Sequence, residues 1–328
     1  MFGLVLVGVA ALTFILAYTV PGDPARLQAG DLAKPEQVAQ VRKELGLDQP
    51  LYVQFYLYVQ RLLRGDLGTS IATRRPVAQD IADYFTATFE LTSVSMTLAL
   101  IIGIPLGVIT AVKKDKIEDH LGRLFSLSGV SLPAFWLAMI LQFFIAAQLG
   151  WFPISGRVDL SVLRDHPLVH ITGLYILDSI LTGNFLVLIS CIQHIILPAM
   201  TLAYTSLVVI TRMVRASMLE VLRQDYVRTA RAYGLTNRKV IYKYALKNAL
   251  IPAVTTAGLS YGYMLGGTFL VESIFSWPGL GRYAAASIIY SDYPAVLGVS
   301  LLVALVYTIV NLSVDLLYGF LDPRIKYG

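Results

Sequence analysis

Residues able to do chemistry are few and scattered in this chain. No G-x-x-x-x-G-K-[ST] run occurs, so no phosphate-cradling loop for ATP is present. No H-E-x-x-H, paired-cysteine or clustered-histidine spacing offers a metal site. His120, His166, His170 and His194 are dispersed. His194 could line a pore, but a structural role with its ring nitrogens satisfied is the simpler reading. Cys191 is the single cysteine, set in an apolar stretch, so it forms no intrachain disulfide and reads as a packing residue. Glu90 and Asp315 fall within apolar blocks but near their ends. An ion-coupled carrier needs ionisable groups near the middle of the membrane. None stands there, so any energy source has to come from a partner.

Two segments carry the remaining functional signal. The first, 213–249, is too basic for a membrane core yet keeps helical periodicity. Asp225 opens a short helix, Tyr226–Tyr233, where an acidic side chain suits the N-terminus, and Gly234 stands where a glycine ends a helix. Thr236 or Asn237 can cap the next helix, Arg238–Leu250. The basic side chains of this helix–glycine–helix unit suit either acidic lipid headgroups or a cytoplasmic protein. The second segment is Phe275-Ser276-Trp277-Pro278-Gly279-Leu280-Gly281-Arg282. Its proline and two glycines predict a sharply turning re-entrant or surface loop. Non-helical backbone at membrane depth needs protein or a wet cavity around it, which makes Trp277, Pro278, Gly279, Gly281 and Arg282 candidates for an external mouth.

The elements that must position these segments are membrane spans. The chain has 328 residues, of which 56% are hydrophobic and only 14% charged. A soluble domain carries roughly 25% charge. The apolar residues come in blocks of spanning length, which excludes a soluble enzyme, a disordered chain and a disulfide scaffold. Six blocks reach the ~20 residues a span needs: Gly3–Val20, Glu90–Val112, Leu121–Leu149, Ser190–Arg212, Leu250–Val271 and Leu297–Phe320. The first lacks a basic n-region, and Pro21-Gly22-Asp23-Pro24 replaces a small-residue cleavage site. It is therefore read as a retained span rather than a signal peptide. It is also short at its front, as in a trimmed or late-starting chain.

Basic residues orient the bundle. Lys113, Lys114, Lys116 and Arg123 follow the second span. Arg215, Arg223, Arg228, Arg231, Arg238, Lys239, Lys243 and Lys247 follow the fourth, and Arg324 and Lys326 close the tail. The opposite short loops hold only Arg157, Arg164 and Arg282. This asymmetry predicts both termini in the cytoplasm. Residues 21–89 carry equal numbers of basic and acidic side chains and form an external subdomain, with helices over Pro35–Leu45, ended by Gly46, and over Leu51–Leu63. A turn cluster follows at Gly65–Ser70, and Pro76 opens a helix, Val77–Phe85, leading into the second span. The subdomain suits equally a cap packed on the bundle and a docking surface for an external partner. Segment 150–189 is external, with Trp151 and Phe152 at the interface and Leu174–Leu181 too short to span. The expected division is thus a transmembrane helix at 1–20, the external subdomain 21–89, a five-helix permease core 90–320 and a cytoplasmic tail 321–328.

The segment Asp225-Tyr226-Val227-Arg228-Thr229-Ala230-Arg231-Ala232-Tyr233-Gly234-Leu235 closely resembles the cytoplasmic "EAA" loop of ABC-importer permeases, in the dialect of the dipeptide/oligopeptide/nickel group. Arg228-Thr229-Ala230 stands in for Glu-Ala-Ala, with Gly234 four residues after the second alanine position. Pro21-Gly22-Asp23-Pro24, Gly46-Leu47-Asp48-Gln49-Pro50 with Gly65–Ser70, Ser131-Leu132-Pro133-Ala134-Phe135-Trp136, Trp277–Arg282 and Leu321-Asp322-Pro323-Arg324 match the same group in order. The long 21–89 segment resembles that of the first permease subunit. The short basic stretch that relatives carry before the first span is missing, so the cytoplasmic N-terminus rests on the later loops.

The resemblance implies an all-α type I importer fold with six transmembrane helices. It implies a second homologous permease, two cytoplasmic ATPases that bind ATP and Mg, and an extracytoplasmic solute-binding protein in a prokaryotic cell membrane. This chain itself would hold no cofactor and no metal, catalyse no reaction and bind no nucleic acid. The loop residues from Asp225 to Leu235 would form the helix that couples to an ATPase. Dipeptides or oligopeptides are the implied solutes, with oligosaccharides or a nickel chelate as alternatives within the group. A non-transport scaffold fits less well, because the coupling loop is intact and no signalling domain is present.

Overall fold

The computed structural model describes residues 7–12, 14–15, 25–26, 33–44 and 46–321, excepting the side chains at 44, 130, 267 and 318–321. Most of the expected first span, the Pro21–Pro24 turn and the tail 322–328 lie outside the described residues. The fold is all-helical. Among the described residues there is no strand, only an isolated bridge between Thr69 and Pro76.

The helices are α1 (Pro35–Glu44), α2 (Leu51–Leu63), α3 (Val77–Val112), α4 (Ile117–Ser131) and α5 (Ala134–Ile140), which continues as a π-helical segment (Leu141–Gln148). Then come α6 (Leu160–Asp165), α7 (Tyr175–Leu181), α8 (Phe185–Val221) and α9 (Asp225–Ala232). A turn at Asn237–Lys239 and a π-helical stretch, Val240–Ala245, lead into α10 (Leu246–Gly267), followed by α11 (Phe269–Ile274), α12 (Leu280–Ile289) and α13 (Tyr293–Leu321). Among the described residues, three helices are long and apolar enough to cross a membrane: Val77–Val112, Phe185–Val221 and Tyr293–Leu317.

The expected third span is not one straight helix. Ile117–Gly129 and Ala134–Gln148 meet at 101°, and together they would make a fourth, broken crossing. Pro133 causes the break. It has no N–H to continue the ladder, and its ring drives the preceding residue out of the helical region. Leu132 accordingly sits at φ −94°, ψ 118°.

The chain divides into two compact units. One comprises residues 1–85 and 282–308. In it, Asp80 accepts hydrogen bonds from Thr73 Oγ1 and from Tyr283 Oη, the latter at 3.2 Å, and Tyr283 stacks on Tyr84 with ring centroids 4.7 Å apart. Burial, then the Asp80 carboxylate, push the Tyr283 phenol well above its ordinary range. Asp292 accepts from Ser70 Oγ and the Ala72 N–H, fixing the turn before α3.

The other unit comprises residues 86–281 and 309–328. Its core is built on α8 packed against α10, with α4, α5 and α7 around it. Leu91, Ile195, Leu197, Ile210 and Met218 are among the largest fully buried side chains. Small residues permit close helix approach. A Cβ at Gly107 would lie 2.6 Å from Val214, and one at Gly258 would lie 2.1 Å from Val314.

Candidate functional site

The 213–249 loop forms as a protruding helix on an apolar foot. Asp225 begins α9, and its carboxylate suits the helix N-terminus. Val227 and Ala230 are buried in the core cluster, and Leu235 packs against it. Arg228, Thr229, Arg231, Ala232 and Tyr233 are exposed, Tyr233 at 82%. Tyr226 Oη accepts from Asn248 Nδ2 at 2.8 Å, which ties α9 to the helix that follows. Arg228 lies 3.5 Å from the exposed Asp225, a contact worth little in water.

Gly234 ends α9 at φ +74°. Its N–H donates to Arg231 O at 2.9 Å and the Leu235 N–H donates to Ala230 O at 3.3 Å. These two bonds make a Schellman cap, with the apolar Leu235 turned back onto the core. A Cβ at Gly234 would meet nothing within 4 Å, so the left-handed backbone, not space, selects glycine here. Thr236 occupies the cap position of the next helix but makes no side-chain cap hydrogen bond.

The Trp277–Arg282 segment is knit into the interior rather than looped over it. Trp277 is 1% exposed, and its indole N–H donates to Ala87 O at 2.9 Å. Pro278 is half-buried, Gly279 is buried, and Gly281 is partly covered. A Cβ at Gly279 would fall 2.3 Å from a Glu272 carboxylate oxygen, and one at Gly281 would fall 2.7 Å from the Phe269 backbone. Arg282, the next residue, is exposed.

The partners of three buried carboxyl groups escaped the sequence reading. Glu272 accepts from Thr88 Oγ1 at 2.6 Å and Thr268 Oγ1 at 2.8 Å, while Thr88 Oγ1 accepts from the Leu280 N–H. Glu90 pairs with Arg157, whose guanidinium also lies 3.8 Å from the Tyr175 ring centroid. Asp178 accepts from the Ile171, Thr172 and Gly173 N–H groups and from Thr172 Oγ1, clasping the 171–173 turn. Glu272 and Asp178 are fully buried. Thr88 and Glu272, and Glu90 and Arg157, lie far apart in sequence, so composition and periodicity carry no trace of those pairings. Asp315 is exposed, and His194 Nδ1 lies 2.7 Å from Ser190 O, a backbone partner on its own helix. Among the described residues no cluster of three His, Cys, Asp or Glu side chains could hold a metal ion.

The helical fold resembles that of a solved ABC transporter chain. It matches a chain of the inward-facing MetNI methionine ABC transporter with a TM-score of 0.52 at 19% identity, covering 73% of this chain and 94% of that one. The model of the family "binding-protein-dependent transport system inner membrane component" matches residues 103–327, and the model of its N-terminal region matches residues 2–92. The chain belongs to this family of inner-membrane transport components. It is 49% identical to a probable D,D-dipeptide transport system permease protein of Escherichia coli, over 99% of this chain and 96% of that protein. It is 46% identical to a dipeptide transport system permease protein of Alkalihalophilus pseudofirmus, over 98% of this chain and 96% of that protein.

Proposed function

We propose that the chain is one of two permease subunits of an ATP-driven peptide importer that receives dipeptides or oligopeptides from an extracytoplasmic binding protein. The near-full-length identity with dipeptide permeases carries this reading. In this account six helices cross the membrane and both termini face the cytoplasm. The 21–89 region lies outside, and α9 is the element gripped by a cytoplasmic ATPase. ATP and Mg reside on the two ATPase subunits, and this chain contributes no cofactor site.

The geometry of α9 supports the coupling role. An apolar foot and a rigid cap hold an exposed helix carrying Arg228, Arg231 and Tyr233. A short, stiff helix fixed at both ends transmits a push from an ATPase to α8 and α10 without dissipating it. Trp277, Pro278, Gly279, Gly281 and Arg282 then act near the external mouth as a locked turn, with Arg282 as its exposed member.

The test is uptake by vesicles holding the permease pair, both ATPases and the binding protein. Accumulation of a labelled dipeptide that requires ATP and the binding protein supports the reading. Accumulation of an oligosaccharide or a nickel chelate with no dipeptide uptake overturns the substrate assignment. Equal uptake without ATP overturns the mechanism.

A further inference from the structure

A cationic pocket lies where α3, α4 and α8 converge. It encloses about 350 Å³ and is lined by Thr110, Gly122, Arg123, Ser126, Thr211, Arg212 and Arg215, with Leu127 at its edge. The glycine brings α4 down onto α3, since a Cβ at Gly122 would fall 2.3 Å from Thr110 Cγ2.

Asp119, fully buried, organises two of the three guanidinium groups. Arg215 donates to both its oxygens, through Nε at 2.7 Å and Nη2 at 2.9 Å, and Arg123 Nη2 lies 3.6 Å away. Arg212 is exposed and makes no ion pair among the described residues. Three guanidiniums against one carboxylate leave the pocket with a surplus of positive charge that an anion would balance.

Depth and surroundings define that anion. From Phe185 to Thr211, α8 carries no Asp, Glu, Lys or Arg. At 1.5 Å per residue this run spans roughly 40 Å, enough to cross the hydrocarbon and reach the headgroup region. Arg212 is the first charge after it. On α3 the residues from Leu91 to Val112 are likewise free of these charges, and Lys113 follows. The pocket therefore opens at headgroup level. Beside it, Ile117, Leu121, Leu124 and Leu127 make an apolar stripe along α4 at helical spacing, each at least 59% exposed.

We propose that this pocket binds the phosphodiester headgroup of an anionic membrane phospholipid, with the acyl chains laid along the α4 stripe. Basic pockets between transmembrane helices suit such headgroups, and a soluble anion would have no use for the adjoining leucines. The inference rests on the membrane placement of α3 and α8 and is independent of the solute carried.

The experiment purifies the intact transporter complex with four permeases: wild type, the double variant Arg123→Gln/Arg212→Gln, its partial-rescue form Arg123→Gln/Arg212→Lys, and Arg64→Gln as an exposed control in the other unit. Bound phospholipid is read by native mass spectrometry. Thermal unfolding is followed on adding phosphatidylglycerol micelles, phosphatidylcholine micelles or inorganic phosphate. Wild type and Arg64→Gln should retain phosphatidylglycerol and be stabilised by it alone. The double variant should bind it roughly tenfold or more weakly, and Arg123→Gln/Arg212→Lys should restore part of the effect. Equal phosphatidylglycerol retention and stabilisation in the double variant would overturn the proposal. So would equal stabilisation by inorganic phosphate, or protection of position 212 from thiol labelling by the second permease in place of lipid.

Discussion

Glu90 and Arg157 form a buried ion pair, with Arg157 Nη2 2.5 Å and Nε 2.9 Å from the same Glu90 oxygen. The other Glu90 oxygen accepts from the Ile176 N–H at 2.7 Å, and Arg157 also donates to Gly173 O at 3.0 Å. Glu90 on α3 thus holds both Arg157 and Ile176 of the 150–189 segment, and Arg157 in turn holds Gly173 within that segment.

Removing one partner should be far worse than removing both. Arg157→Ala leaves a buried carboxylate uncompensated, a loss of about 3–5 kcal/mol. Glu90→Gln/Arg157→Met replaces the pair by neutral groups of similar volume and should recover most of that loss. Thermal unfolding of the purified protein in detergent checks the order. A double variant as unstable as Arg157→Ala would contradict the pairing.

The turn after α11 predicts a steric contrast between two glycines. Gly279→Ala drives a Cβ into the Glu272 carboxylate, which Thr88 and Thr268 hold in place, so it should cost about 1–3 kcal/mol and lower the yield of folded protein. Gly234→Ala meets open space, so it carries only the left-handed backbone strain, about 1 kcal/mol, and should lower yield and unfolding temperature less than Gly279→Ala. Expression level and unfolding temperature of the two variants, measured side by side, check this.

Asp178 predicts an acid-labile turn. Burial alone would raise its pKa, but the Thr172 hydroxyl and the Thr172, Gly173 and Ile171 N–H groups outweigh burial and hold the carboxyl below its ordinary range. A folded pKa below the unfolded value, ~3.9, means the stabilisation is fully present above that value. It is lost as pH falls through the folded pKa. Between about pH 4 and the lower folded value, wild type should lose stability more steeply than Asp178→Asn. Unfolding midpoints across that range test it, and parallel curves would count against the clasp.

Local order was legible where one residue type decides it. The helix Leu51–Leu63 forms with the expected bounds, and the expected Tyr226–Tyr233 forms as Asp225–Ala232, because capping and periodicity act within a few residues. Gly234 forms the expected left-handed stop. The bend at Pro133 was not read, although the proline stands in a matched motif, because hydropathy alone runs through it unbroken. The Pro-Gly turn reads as either a re-entrant or a surface loop, and the distant partners Ala87 and Thr88 decide for the interior position of Trp277. Pairings such as Thr88 with Glu272 belong to tertiary packing and leave no periodic mark.

If α9 transmits ATPase motion, Gly234→Val in the reconstituted complex must uncouple solute from ATP turnover. Valine at φ +74° costs about 1–2 kcal/mol in backbone strain and opens the cap, yet its Cβ meets nothing within 4 Å. The variant should therefore reach the membrane at normal levels. Its association with the ATPases in pull-down should weaken roughly tenfold, and solute- and binding-protein-stimulated ATP turnover should be lost. Wild-type stimulation of ATP turnover in Gly234→Val would contradict the assignment of α9 as the coupling element.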